Sequence, residues 1–184
     1  MREIRLVGQD RRVWNFDPAY STVEFVVRNF LYNVKGRFNV LEGSITLDEN
    51  DIGQSSVTAI IKASSIDTGN KRRDVHLKSA DFFDSEKFPD IEFKSSRVER
   101  GRDRDSLNLE GTLTVNGKAV PIALAVNEMD RSRSPSGEEY VYYSATTELD
   151  RMAFGISYGR GLIGRRVKVT INVQATNNKG RRSS

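Results

Sequence analysis

Between Asn70 and Phe93 the chain reads NKRRDVHLKSADFFDSEKFPDIEF. These 24 residues hold the only histidine, His76, two positions after Asp74 and close before Asp81, Asp84, Phe82, Phe83 and Phe88. Three kinds of chemistry suit such a set. A histidine beside a carboxylate can move protons, so His76 with Asp74 is a candidate acid–base pair. A histidine with carboxylates can hold a metal, but zinc draws mainly on several Cys and His. This chain has one His and no Cys. Two acids across a cleft can hydrolyse a glycoside. Asp81 and Asp84, however, stand among Arg72, Arg73, Lys78 and Lys87, ready partners for ion pairs.

The remaining reading is structural. A short amphipathic helix over about 70–79, capped by Asn70, turns Val75 and Leu77 inward. Arg73 and Asp74 anchor it, His76 is hydrogen-bonded, and Phe82, Phe83 and Phe88 follow as an apolar lid. The segment then plugs one end or side of something hollow. Asp150, Arg151, Phe154 and Gly155 in DRMAFGI serve a similar closing role. GISYGRGLIG is glycine-rich but lacks the Gly-Lys-Ser/Thr of a phosphate loop, and there is no Gly-x-Ser-x-Gly.

The elements that must position these residues are strands. Apolar residues alternate in about eight segments bounded by turn signals. Val23, Phe25 and Val27 share one face. Phe38 and Val40, then Ile45 and Leu47, share another, with a bulge expected at Glu42-Gly43. Val57, Ala59, Ile61 and Ala63 follow, then Ile91 and Phe93, then Leu107, Leu109, Leu113 and Val115. Val120 to Val126, Val141 to Leu149 and Val167 to Val173 complete the set. Asn116-Gly117 marks a tight hairpin. Pro121 inside a strand pattern points to an edge or a bulge. Hairpin-length links imply an antiparallel barrel or sandwich, filled or holding one small ligand. Small inward residues (Ala59, Ala63, Gly111, Ala145, Thr147) opposite Phe25, Phe38 and Phe93 lean toward hollow, and ordinary large–small packing is the alternative.

Composition sets the outer limits. The 184 residues fit one domain, with 37% apolar and 29% charged residues of both signs. The net charge is +4, and much of the excess sits at the two ends. Without a long Lys/Arg block or interleaved aromatics, nucleic acid is not the expected partner. Without cysteine there is no disulfide and no thiolate chemistry. MREIRLVGQDRRVW lacks the apolar run of a secretory signal, so the expected location is cytoplasmic.

Several stretches together resemble the YceI-like family of lipocalin-like, polyisoprenoid-binding proteins. They are WNFDPAYSTVEFVVRNF, VKGRFNVLEGSITLD, SSIDTGNKRRDVHLKSADFFDSEKFPDIEFKSS, LEGTLTVNGKAVPIALAV and DRMAFGI. The resemblance covers 13–176, leaving 1–12 and the basic 177–184 as flexible terminal segments. It implies an all-β, elongated, eight-stranded antiparallel barrel with one short helix at about 70–79 and a long apolar tunnel. It implies non-enzymatic binding of a polyisoprenoid lipid, an isoprenoid quinone or polyprenyl phosphate, for carriage, storage or protection. It further implies a homodimer, no cofactor, no metal, and at most transient membrane contact; many relatives are periplasmic. Tyr20 and Asn29 stand where the family often has histidines. The alternating faces give the expected tunnel wall: Phe25, Val27, Phe38, Ile45, Ala59, Ile61, Phe93, Leu113, Val169 and Ile171. His76, Arg73, Arg165 and Arg166 are the candidates for the mouth or head-group site. The competing readings are an enzyme acting on an isoprenoid or quinone through His76 and Asp74, and an interaction module with a filled barrel.

Overall fold

The computed structural model describes residues 11–177. Eleven strand segments and one helix build it: β1 (Arg11–Phe16), β2 (Thr22–Asn29), β3 (Tyr32–Phe38), β4 (Leu41–Asp48), β5 (Ser56–Lys62), β6 (Ile66–Asp67), α1 (Lys71–Lys78), β7 (Asp90–Arg100), β8 (Ser106–Val115), β9 (Lys118–Arg133), β10 (Glu139–Asp150) and β11 (Ile163–Asn177). All neighbouring strands are antiparallel, in the order β1-β4-β5-β7-β8-β9-β10-β11-β2-β3-β6, with β1 returning to β11.

This order resolves into eight staves. β1 and β2 lie end to end along β11, pairing through Phe16↔Ala175 and Val23↔Ile171. β3 and β4 continue one another beside them, and so do β5 and β6. Three adjacent staves are thus each broken once, and β7 to β11 are whole. The breaks fall side by side. Asn39 N–H donates to Ser65 O at 3.2 Å and Asp17 N–H to Gln174 O at 2.8 Å. Closing the sheet on itself leaves each stave a neighbour on both sides, which removes exposed edges.

The alternation follows from the pleat: every second side chain faces the interior. In β8 the inward set is Leu107, Leu109, Gly111, Leu113 and Val115, and in β11 it includes Val167, Val169, Ile171 and Val173. Asn116 (φ 52°) and Gly117 (φ 68°) form the expected left-handed turn between β8 and β9. Pro121 pairs only toward β8, because the β9–β10 ladder ends at Ala125↔Thr146. The missing N–H of proline therefore leaves no ladder position empty.

Two local expectations need correction. The break in the second stave lies at Asn39-Val40, not at Glu42-Gly43. Leu41, 1% exposed, takes the inward place expected of Val40, and β4 then runs on regularly through Ile45 and Leu47. α1 forms as expected, with Asn70 Oδ1 accepting from Arg73 N–H at 3.1 Å, but it is not amphipathic. Val75 is 70% exposed and only Leu77 packs inward. Eight residues make barely two turns, and five of them carry charge. The ladder also takes in Arg11, Arg12 and Asn177, which the sequence reading places in the terminal segments. Residues 1–10 and 178–184 lie outside the described residues.

Candidate functional site

A cavity of about 260 Å³ runs inside the barrel, and all eight staves contribute to its wall. Along β11 the lining extends from Ile163 to Val173, roughly 30 Å of strand at about 3.3 Å per residue. So modest a volume over such a length is a thread-like space. All ten wall residues picked from the alternation line it.

Glycine keeps this space open. The ring of Phe93 lies against Gly111, where a Cβ would stand 2.5 Å from Cζ. Phe16 lies against Gly43 in the same way, at 2.5 Å from Cε2. Each ring rests on bare backbone, so its bulk is taken up beside the wall. From the sequence Gly111 is only one small residue among several. The aromatic partner one strand away is what gives it meaning.

Four lining residues are polar, and each spends its polar atoms on the protein. Ser55 Oγ accepts from Asp48 N–H at 2.9 Å. Thr147 Oγ1 donates to Ala123 O at 2.8 Å. Tyr143 Oη donates to Glu128 at 3.2 Å, and burial first, then the Glu128 charge, pushes the phenol pKa up. Arg151, 7% exposed, donates to Ile156 O (2.8 Å), Tyr158 O (2.9 Å), Gly164 O (2.9 Å) and Ile163 O (3.0 Å). Burial pulls its pKa down. The guanidinium pins the loop from Ile156 to Gly164 onto the barrel.

The end of the barrel at α1 carries His76 and the Phe82-Phe83 pair. Phe82 and Phe83 line the cavity, and Phe83 meets Phe38 edge-on at 5.4 Å. Phe88 does not join them; it packs under Gly117. The Phe82 carbonyl accepts from Asn116 Nδ2 at 2.5 Å, which ties the aromatic segment to the β8–β9 turn. His76 stands edge-on to Tyr158 (4.7 Å) and to Phe82 (5.1 Å), with Nε2 2.8 Å from Asp81 Oδ2. Asp81 therefore pairs with His76, not with the cations expected for it. Asp74 is engaged elsewhere: its Oδ1 accepts from Thr68 N–H (2.9 Å) and Thr68 Oγ1 (2.5 Å). Arg73 donates to Thr68 Oγ1 (2.7 Å) and Thr68 O (2.9 Å). This anchors α1 to the Asp67-Thr68-Gly69 stretch and leaves the His76–Asp74 dyad unformed.

The other mouth candidates are paired at the surface. Arg165 Nε donates to Asp150 at 2.7 Å and Arg166 to Glu148 at 3.1 Å. Neither lines the cavity. The hydrogen bond from Arg165 holds the Asp150 carboxyl below its ordinary range. Among the described residues no group of three or more His, Asp or Glu could hold a metal ion.

At the opposite end, Arg131 lies over the Trp14 ring, 5.6 Å from its centre. It donates to Glu128 (3.0 Å) and Glu49 (2.8 Å), and these bonds hold its charge firmly. Sequence reasoning passed over this network. It also missed Phe16, Ile52 and Val98 in the wall. Ile52 had a signal: it is the lone apolar residue in the polar loop DENDIG.

The YceI-like domain family matches residues 14–175. A UPF0312 protein of Vibrio parahaemolyticus is 32% identical over 140 residues, spanning 75% of this chain and 73% of its own. The crystal structure of Burkholderia cenocepacia BcnA aligns with a TM-score of 0.76 at 21% identity, covering 86% of this chain and 98% of its own. A polyisoprenoid binding domain from Saccharophagus degradans, described as implicated in plant cell wall breakdown, aligns with a TM-score of 0.67 at 16% identity. That alignment covers 89% of this chain and 98% of the other.

Proposed function

This chain belongs to the YceI-like family, and we propose on that footing that it binds a long, apolar polyisoprenoid lipid inside its barrel. The observation that carries the reading is the cavity: narrow, running along the staves, and apolar but for four lining side chains, each hydrogen-bonded within the protein. Such a wall selects for shape and apolarity. Each methylene it buries stabilises the complex by about 0.8 kcal/mol. The likeness to the polyisoprenoid binding domain from Saccharophagus degradans supports the same ligand class.

The role is binding, not turnover. His76 and Asp74 are engaged with different partners, and neither lines the cavity. Carriage, storage or protection of an isoprenoid quinone suits a wall that shields a reactive ring or an oxidisable chain. A homodimer is part of the proposal, on the family resemblance alone.

Mass spectrometry of an organic extract from freshly purified, never-delipidated protein tests it. A stoichiometric prenyl quinone or polyprenyl species is expected. An empty extract, followed by failed reloading with such lipids, overturns the reading.

A further inference from the structure

Among the described residues, the two hairpins with two-residue turns obey different rules. The β8–β9 turn uses Asn116-Gly117, residues that accept left-handed backbone. The β2–β3 turn uses Phe30-Leu31, with Phe30 at φ 50°. A bulky aromatic is a poor choice there on conformational grounds. Both residues also stand in solvent: Phe30 is 62% exposed and Leu31 79%. Leu162, 61% exposed, joins them, because its carbonyl accepts from Phe30 N–H at 2.8 Å. Tyr32, 57% exposed, flanks the tip, its hydroxyl accepting from Asn29 Nδ2 at 3.1 Å.

Cations stand on the segments that carry this knob: Arg28 beside the turn, Arg160 two residues before Leu162, and Lys35 further along β3. Arg28, Lys35 and Arg160 are exposed, and among the described residues none has a carboxylate partner. Arg28 Nε donates to the Phe30 carbonyl at 3.3 Å, so its charge sits at the base of the turn. The knob also adjoins the cavity: Ile163, next to Leu162, is a lining residue and pairs with Asn29.

We propose that the Phe30-Leu31-Tyr32-Leu162 tip docks on an anionic lipid bilayer. Phe30 and Leu31 enter the acyl boundary, Tyr32 sits at head-group level, and Arg28, Lys35 and Arg160 face the lipid phosphates. Charge favours this occupant over a second copy of the chain. An isologous pairing would set the same basic rim against itself. The proposal gives the lipid-binding reading its point of exchange, and it rests on that reading for its purpose but not for its surface.

Flotation with phosphatidylcholine vesicles, with and without roughly one-quarter phosphatidylglycerol, tests it. The protein is expected to float with the anionic vesicles and to lose at least tenfold in affinity as Phe30→Ser/Leu31→Ser. Lys35→Ala/Arg160→Ala should abolish the preference for anionic over neutral vesicles. These side chains are exposed, so melting curves should be unchanged. Wild-type protein that floats with neither vesicle overturns the proposal, as does a tip variant that floats like wild type. A dimer that Phe30→Ser/Leu31→Ser converts to monomer in sedimentation also overturns it, since the tip then belongs to a second copy. Vesicle binding retained by a protein that loads no prenyl lipid leaves the docking tip standing and sinks the carrier reading alone.

Discussion

The Phe25 ring lies over Gly36, its register partner on β3, so closely that a Cβ on Gly36 would fall 2.3 Å from Cζ. The contact decides where the ring goes. With glycine beneath it, the ring lies beside the backbone. With any larger residue it must swing into the cavity.

Gly36→Ala and Gly111→Ala should therefore narrow the lumen from two sides. Overpacking of this kind typically destabilises by about 1–3 kcal/mol. A fall in prenyl-lipid loading at temperatures where the variants remain folded, read by extract mass spectrometry, is the expected result. Full loading would show that the rings find room elsewhere.

Arg151 and Arg166 should behave differently when removed. Arg151→Met strands four backbone carbonyls that now accept from one buried guanidinium. Its expected loss in urea unfolding is about 3 kcal/mol or more. Arg166→Ala breaks an exposed pair with Glu148, both partners well solvated, and should change stability by less than about 1 kcal/mol. Equal losses would contradict the clamp assigned to Arg151.

Acid should weaken the fold only late. Backbone N–H groups of Asp51 and Gly69 hold the Asp48 and Asp67 carboxyls below their ordinary pKa, and Arg165 does the same for Asp150. A depressed folded-state pKa gives stability that is complete above the unfolded value of about 4 and lost as pH falls through the folded value. Denaturation midpoints should then hold steady from pH 7 to about 5 and drop below about 4. Asp150→Asn should flatten part of that drop. A decline starting well above pH 5 would exclude these carboxylates as its source.

Affinity should climb with prenyl length and then stop. Each five-carbon unit that enters the thread-like cavity should tighten binding at least tenfold, since burying even two of its carbons is worth about 1.6 kcal/mol. Calorimetry over a series of prenyl alcohols would show the plateau at which the lumen is full. Affinity independent of length would place the ligand outside the barrel.

Much of this wall could be read from alternation, because a half-buried strand must place every second side chain inside. That rule, with the Asn116-Gly117 turn and the aromatic run at Phe82, gave the staves, the lining and the plug. It failed where the geometry is not local. The place of the break beside Leu41 depends on the neighbouring stave. Val75 looked inward on a helix too short and too charged to own an apolar face. The choice of Asp81 over Asp74 as the partner of His76, and the stacking of Arg131 on Trp14, join residues that alternation cannot connect.

The three side-by-side breaks have a consequence for insertions and deletions. Across them, inward residues are an odd number of positions apart: Phe16 to Val23, Phe38 to Leu41, Ile61 to Ile66. Each broken stave thus changes its reading frame where it crosses the crease, and all three do so together. Deleting Val40 alone would leave Phe38 and Leu41 two positions apart, the spacing of an unbroken strand, so the stave would keep both on the lumen side only by straightening through a crease that its neighbours retain. The seam is where the barrel's alternating code is punctuated, and the three odd spacings hold only as long as the three breaks stay side by side.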